Sequence, residues 1–133
     1  MTNPLSDMAT FLAAAGLGLT KGTNLFWGTQ RGVGGGVPIN AVFVIGGGGT
    51  EPERTMGRTL EIRHPFVIIR VRWSSNGAGD AKARAIQDAL DNATISGYLD
   101  VRALNSEPQS IGQGSDGNHL WTMQYELVYN KST

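Results

Sequence analysis

The chain has 133 residues and no cysteine, and its 11 lysines and arginines balance its 11 aspartates and glutamates. This length fits one domain with a sizeable core. The lack of cysteine excludes disulfides and thiolate metal sites. The zero formal charge argues against a dedicated nucleic-acid binder, whose affinity depends on neutralising phosphates. No secretory leader or membrane-spanning run is recognised, so we expect a soluble protein assembled in the cytoplasm.

The first part of the chain predicts a helix followed by two strands. Asn3 and Pro4 are typical of a helix start, with Ser6 as the rival cap, and apolar residues recur at helical spacing as far as the glycines at 16 and 18. A short strand is predicted over 23–29 and an apolar strand over 39–45. We expect flexible glycine-rich loops at 31–37 and 46–58, the second being either mobile or ordered only by a partner.

The central strand is predicted over 66–73, where β-branched and aromatic residues dominate. Since side chains alternate across a strand, one face is apolar and should lie in the core: Val67, Ile69, Val71 and Trp73. The other face combines apolar and cationic side chains and predicts a surface that meets a partner: Phe66, Ile68, Arg70 and Arg72. The open alternative is that this face packs a helix while the arginines reach solvent at its rim. Pro65 has no amide hydrogen, so we expect 60–64 at an edge or a bulge.

The second part of the chain predicts one helix and two strands. Asp80 is interpreted as the cap of a helix over 80–93, followed by a strand over 98–104 and a long loop over 106–118. Strict alternation over 119–130 predicts a half-buried strand. The fold class is therefore α+β, in the order α-β-β-β-α-β-β: a single mixed or mostly antiparallel sheet with two helices packed on one face. One core should contain Val67, Ile69, Val71, Ile86, Leu90, Trp121, Met123, Tyr125 and Leu127.

No motif in the sequence predicts catalysis or cofactor binding. The letters G-x-G-x-x-G occur at 112–117, but a strand follows them, whereas dinucleotide binding needs a following helix. The two histidines, His64 and His119, are isolated from each other in the sequence, and His64 beside Pro65 is interpreted as structural. We therefore predict no enzyme activity, no cofactor and no metal, with a small-ligand-binding or enzymatic domain as a remote alternative.

Charge is unevenly distributed along the chain. The region 54–72 is basic and the region 80–116 is acidic, which would allow copies to associate head to tail. Ordinary scatter of surface charge is the alternative, and charge alone favours it. The candidate interface residues are Arg54, Arg58, Phe66, Ile68, Arg70 and Arg72 on one side, with Asp88 and Asp91 as the acidic partners.

Several stretches together resemble a known family. They are GGGTEPERTMGR at 47–58, HPFVIIRVRW at 64–73, DAKARAIQDALDNA at 80–93 and GYLDVRALNSEPQSIGQGSDGNH at 97–119. In this order, over nearly the whole chain, they resemble the minor capsid and tail-terminator proteins of long-tailed bacteriophages. The chain departs from that pattern in the glycine-rich loop at 32–36.

The resemblance implies a structural virion protein at the head–tail junction. Copies would form a ring, a hexamer by this resemblance, on the head-proximal end of the tail tube. The ring would stop tube polymerisation and join the tail to head-completion proteins, while DNA passes through without specific binding. The alternatives are a head-completion or stopper protein, or another minor capsid or tail-tube component.

Overall fold

A computed structural model describes residues 3–28, 39–49, 52–54, 61–91, 93–114 and 117–130. Its helices are α1 (Pro4–Ala14) and α2 (Asn76–Leu90). Its strands are β1 (Leu25–Trp27), β2 (Ala41–Gly49), β3 (Glu53–Arg54), β4 (Glu61–Arg63), β5 (Pro65–Trp73), β6 (Asp100–Ala103), β7 (Gln109–Gln113) and β8 (His119–Asn130). The predicted α+β class and the order α-β-β-β-α-β-β are confirmed, with the short strands β3, β4 and β7 added.

The strands form one mixed sheet in the order β1-β2-β5-β8-β4-β3, and β6 and β7 also pair with β8. β1 is parallel to β2, whereas the other pairs are antiparallel. The pairs Ile62–Asn130 and Phe66–Glu126 share one register, so β4 and β5 form a single long strand interrupted at His64 and Pro65. β4 has partners on both sides, β8 and β3, so the expectation of an edge at 60–64 is wrong for β4. The interruption itself agrees with the missing amide hydrogen of Pro65.

The start of α2 differs from the prediction. The helix begins at Asn76, and the Ser75 hydroxyl accepts a hydrogen bond from the Ala78 amide at 3.5 Å. Asp80 is therefore inside the helix and is not its cap. The glycines at 77 and 79 lower helix propensity and hide the true start, but packing of this turn against the sheet overrides that preference. The helix ends at Leu90, before the predicted end at 93.

Two of the predicted loops, at 46–58 and 106–118, contain strands in the structure. Gly46–Gly49 belongs to β2 and Glu53–Arg54 to β3, while residues 50, 51 and 55–58 lie outside the described residues, as does the predicted loop at 31–37. The predicted loop at 106–118 contains β7. The sequence of β7, QSIGQ, has one apolar residue and no alternation, so its strand conformation comes from pairing with β8 rather than from a local preference.

The core lies between the helices and one face of the sheet. α1 packs on β1, β2 and β5, and α2 packs on β5 and β8. The nine predicted core residues are all buried in a single cluster, which confirms that prediction. α1 adds Met8, Ala9 and Leu12 to this cluster. Among the described residues, neither helix has the length and apolar character needed to cross a membrane.

Candidate protein interface

The second face of the sheet carries no helix in the described part of the chain, because both helices share the core on the first face. We call this second surface the open face. The strand register assigns to it Phe43 and Ile45 of β2, Phe66, Ile68, Arg70 and Arg72 of β5, Leu120, Thr122, Gln124 and Glu126 of β8, and Arg102 of β6.

An apolar patch occupies the middle of the open face. Ile45 lies directly across from Ile68, and both side chains are half-buried, as is that of Phe66. Gly47 lies between them: a Cβ added there would be 3.2 Å from Phe66 Cβ and 3.2 Å from Ile68 Cγ1. The missing side chain at Gly47 therefore lets these residues approach the neighbouring backbone. Apolar side chains grouped in this way, with no described helix packed over them, are typical of an interaction site.

Two arginines adjoin this patch. The Arg72 guanidinium lies over the Phe43 ring, 5.3 Å from its centroid, and Arg72 Nε donates a hydrogen bond to the Ile39 carbonyl oxygen at 3.0 Å. Arg70, which pairs across to Phe43, is exposed. A guanidinium that stacks on an aromatic ring and donates to a carbonyl oxygen is held in a defined orientation.

A charged cluster marks the end of the open face near β3 and β4. His64 lies between two carboxylates: its Nε2 is 2.9 Å from Glu53 Oε2, and its Nδ1 is 3.2 Å from Glu126 Oε1. The second contact is close but misaligned, so the buried Nδ1 makes no hydrogen bond among the described residues. Glu126 Oε2 lies 3.8 Å from Arg102 Nη1. This cluster connects β3, β6 and β8 through His64, which lies between β4 and β5, so its first role is to hold the strands together.

Arg102 also pairs with Asp100 on β6. Arg102 Nε donates to Asp100 Oδ2 at 2.6 Å, and this hydrogen bond is the main cause that raises the pKa of Arg102 and lowers the pKa of Asp100. Both side chains are solvent-exposed, so the pair contributes little to stability. No group of three histidine, aspartate or glutamate side chains within the described ranges is placed to hold a metal ion.

The structure places the predicted interface residues on two sides of the molecule. Phe66, Ile68, Arg70 and Arg72 come together on the open face. Asp88 and Asp91 lie exposed at the end of α2, on the other side of the sheet. Burial raises the pKa of the Tyr125 phenol, and the negative charges of Asp91 and Asp88 add to this effect. A contact between Arg72 and either aspartate therefore has to join two copies of the chain.

For two of the predicted interface residues, Arg54 and Arg58, the position of the side chain is not described. Arg54 belongs to β3 by its backbone, but its side chain is not among those described, and Arg58 lies outside the described residues. Sequence reasoning missed the contributions of Phe43, Ile45 and Glu126 to the open face. The alternation in 39–45 and 119–130 was a usable signal for the face of each residue, but only the register of pairing brings them beside β5.

A cleft of about 290 Å³ opens where the hairpin of β2 and β5 bulges. It is lined by Gly48, Gly49, Pro52, Arg63, His64, Pro65 and Tyr129. Small-ligand sites usually enclose roughly 300–1,000 Å³ and bury most of the ligand. This small, open cleft therefore gives little support to a small-ligand function.

Comparison with known proteins adds no family assignment: no protein-family model matches the chain, and no curated protein matches it. The open face and the residues around it are accordingly the features that bear on function. They combine an apolar patch, two guanidinium groups and a distant acidic pair, which is the chemistry of a protein–protein contact.

Proposed function

We propose that the chain is a structural protein of a long-tailed phage virion, a tail terminator whose copies form a ring on the head-proximal end of the tail tube. The ring, a hexamer in this proposal, stops tube polymerisation and joins the tail to the head-completion protein. The observation that carries the proposal is the open face, an apolar sheet surface on which no described helix packs, bordered by Arg70 and Arg72. The family resemblance of the sequence supplies the identity of the assembly.

The position of the charged residues supports a ring. A closed ring needs a heterologous interface, in which one patch of a subunit binds a different patch of the next. The basic, apolar open face and the acidic end of α2 with Asp88 and Asp91 are two such patches on opposite sides of the sheet. Arginine is enriched at protein interfaces and binds carboxylates in a bidentate manner.

The net charge supports passage of DNA without specific binding. Each phosphate contact would add salt-dependent affinity to a channel through which DNA must move. The 11 basic and 11 acidic residues leave no formal charge on the subunit, which agrees with such a channel.

Reversal of one open-face charge tests the ring contact. We expect Arg72→Glu to abolish assembly while the subunit stays folded, because a like-charge contact at an interface costs several kcal/mol. Asp91→Arg added to this variant restores part of the assembly if the two residues meet. Arg63→Glu is the control for position, because it makes the same charge change on the helix side of the sheet, across from Tyr129; it also loses the Arg63–Glu61 ion pair of 3.1 Å, so its folding is checked in the same way.

Sedimentation measures the assembly of all variants, alone and mixed with the tail-tube protein, and circular dichroism checks their folding. A folded Arg72→Glu variant that assembles like the parent would remove the open face from the ring contact. A head-completion or stopper protein is the second candidate function, since it would present similar surfaces. Electron microscopy of labelled subunits separates the two, because a terminator binds isolated tails and a stopper binds isolated heads.

A further inference from the structure

The outer edge of β1 is closed by the chain itself. The Leu25 amide donates to the Thr20 carbonyl oxygen at 3.2 Å, and the Leu25 carbonyl oxygen accepts from the Gly22 amide at 2.9 Å. These bonds use the backbone groups with which a further strand would pair. This end of the sheet is therefore protected from strand addition.

Beyond β1, no described strand pairs with the outer edge of β2. The Val42 amide donates outward to Asn24, and the Val44 carbonyl accepts from the Gly28 amide, so even-numbered residues of β2 direct their backbone groups to this side. By the same alternation, Gly46 directs its groups outward, where no described residue pairs with it; Gly46 is exposed, and so is Gly48 within the irregularity that follows. We call this the hairpin edge. Its glycines leave the backbone bare, so another strand can approach closely.

The opposite side of the sheet ends in a second edge, formed by β6 and β7, with which no strand in the described ranges pairs on the outside. The Leu104 amide donates to the Gln124 carbonyl oxygen at 2.9 Å, so the groups of Ala103 point away from β8 by alternation. Ala103 and every residue of β7 are exposed. Three exposed apolar side chains flank this β6–β7 edge: Leu99 at 66%, Leu104 at 43% and Ile111 at 53%.

We propose that the hairpin edge of one copy pairs with the β6–β7 edge of the next copy, so that one β-sheet continues from subunit to subunit. This inference rests on the proposed function and names the backbone contact of its ring. Unpaired strand edges are templates for pairing with another chain. Two different edges on one molecule allow identical copies to pair with each other without a second protein.

The positions of the two edges favour a second copy as the occupant. They lie at opposite ends of the sheet, so their pairing is heterologous and can close a ring, whereas pairing of two β6–β7 edges would stop at a dimer. Charge is complementary as well: Glu53 next to the hairpin edge and Arg102 on β6 are both largely exposed. Ile45 beside the hairpin edge supplies an apolar counterpart for Leu104.

Engineered disulfides test the contact directly, because the chain has no cysteine of its own. Gly46→Cys and Ala103→Cys are suitable: a Cβ at Gly46 has its nearest neighbour, Leu5 Cδ1, at 3.9 Å, and Ala103 is exposed. Both side chains lie on the helix side, across from Val67 and Tyr125. Under mild oxidation, the double variant should give a ladder of covalent oligomers, and a mixture of the single variants should give only dimers. Ile111→Cys replaces Ala103→Cys in a second series, to allow for a shifted register.

Two further variants block the edge without a cross-link. Ala103→Pro removes the outward amide and leaves the bonds of its neighbours to β8, and Ile111→Lys places a charge on the edge. We expect each to weaken assembly at least about 10-fold in sedimentation, while Ala103→Ser assembles like the parent. Ile111→Lys decides the question if Ala103→Pro does not fold.

The outcomes separate the edge contact from the proposed function. If the edge variants assemble like the parent and no cysteine pair cross-links, the edge contact is wrong. The ring proposal is then decided by the assembly of the Arg72→Glu variant. Dimers formed by Ala103→Cys alone would also overturn it, because they show pairing of like edges. A parent chain that stays monomeric, alone and with tail-tube protein, overturns the ring and the edge contact together.

Discussion

Substitution of Gly79 by alanine tests how closely α2 packs on the sheet. A Cβ at this position would lie 2.3 Å from Trp121 Cζ3, 2.4 Å from Trp121 Cη2 and 2.7 Å from Trp73 Cβ. Trp121 is 2% exposed, so its ring has no solvent space into which it can move. The helix therefore has to shift away from the sheet, or the ring has to leave its preferred rotamer.

The magnitude follows from two opposing effects. Alanine gains about 1 kcal/mol of helix propensity over glycine, whereas overpacking of a well-filled core costs about 1–3 kcal/mol. Because the clash involves a rigid indole ring, we expect the upper part of that range and a net loss of about 1–2 kcal/mol. For a domain of this size, that loss lowers Tm by roughly 3–10 °C.

Gly77→Ala is the matched control, because it lies in the same helix turn and has no atom within 4 Å of its added Cβ. It should gain up to about 1 kcal/mol from helix propensity alone. Urea and thermal unfolding, followed by circular dichroism, measure both variants. Combining Gly79→Ala with Trp121→Phe should cost less than the sum of the single changes, because phenylalanine lacks the clashing ring atoms. If Gly79→Ala is as stable as Gly77→Ala, the close approach of helix and sheet is wrong.

Two further predictions concern the packing of the core and the loss of folding stability at high pH. Ile69→Ala should lower the free energy of unfolding by about 2–5 kcal/mol, and Ile68→Ala, its neighbour on the open face, by clearly less; equal losses in urea titrations would contradict the assignment of faces. Burial, with a hydrogen bond to Asp7, raises the pKa of the Tyr98 phenol. Its neutral form is thus favoured by folding, so this contribution to stability is intact below pH ~10 and is lost as the pH rises further. Tyr98→Phe should therefore show a shallower loss of stability above pH ~10, and an unchanged slope would refute the role of Tyr98.

Elements with a complete local signal were predictable from the sequence. The start of α1 needed only Asn3 and Pro4, and the Asn3 Oδ1 indeed accepts a hydrogen bond from the Ser6 amide at 3.2 Å. The alternation over 119–130 gave β8 with the same bounds. Ser75 was not recognisable in the sequence as the start of α2, because Gly77 and Gly79 follow it. The glycine at 79 is explained by close packing against a tryptophan that is distant in the sequence.

The candidate interface was predictable only along β5. Phe66, Ile68, Arg70 and Arg72 share a face because of local alternation, which requires no tertiary information. The rest of the open face depends on which residues pair across strands, and a single sequence does not specify a register. The same holds for β7, whose strand conformation is imposed by β8.

The interruption at His64 and Pro65 has a mechanical consequence. It lies opposite the irregularity between Gly46 and Gly49, where the Gly49 Cα comes so near that a Cβ would be 2.5 Å from the His64 carbonyl oxygen. Both strands of the long hairpin thus lose regular pairing at the same level. On one side of it, β2 and β5 rest on the helices; on the other, β3 and β4 are held by two pairs to β8 and by the Glu53–His64 contact. Regular backbone pairing is therefore interrupted at this level, and the side-chain contacts of His64 with Glu53 and Glu126 connect the strands there instead.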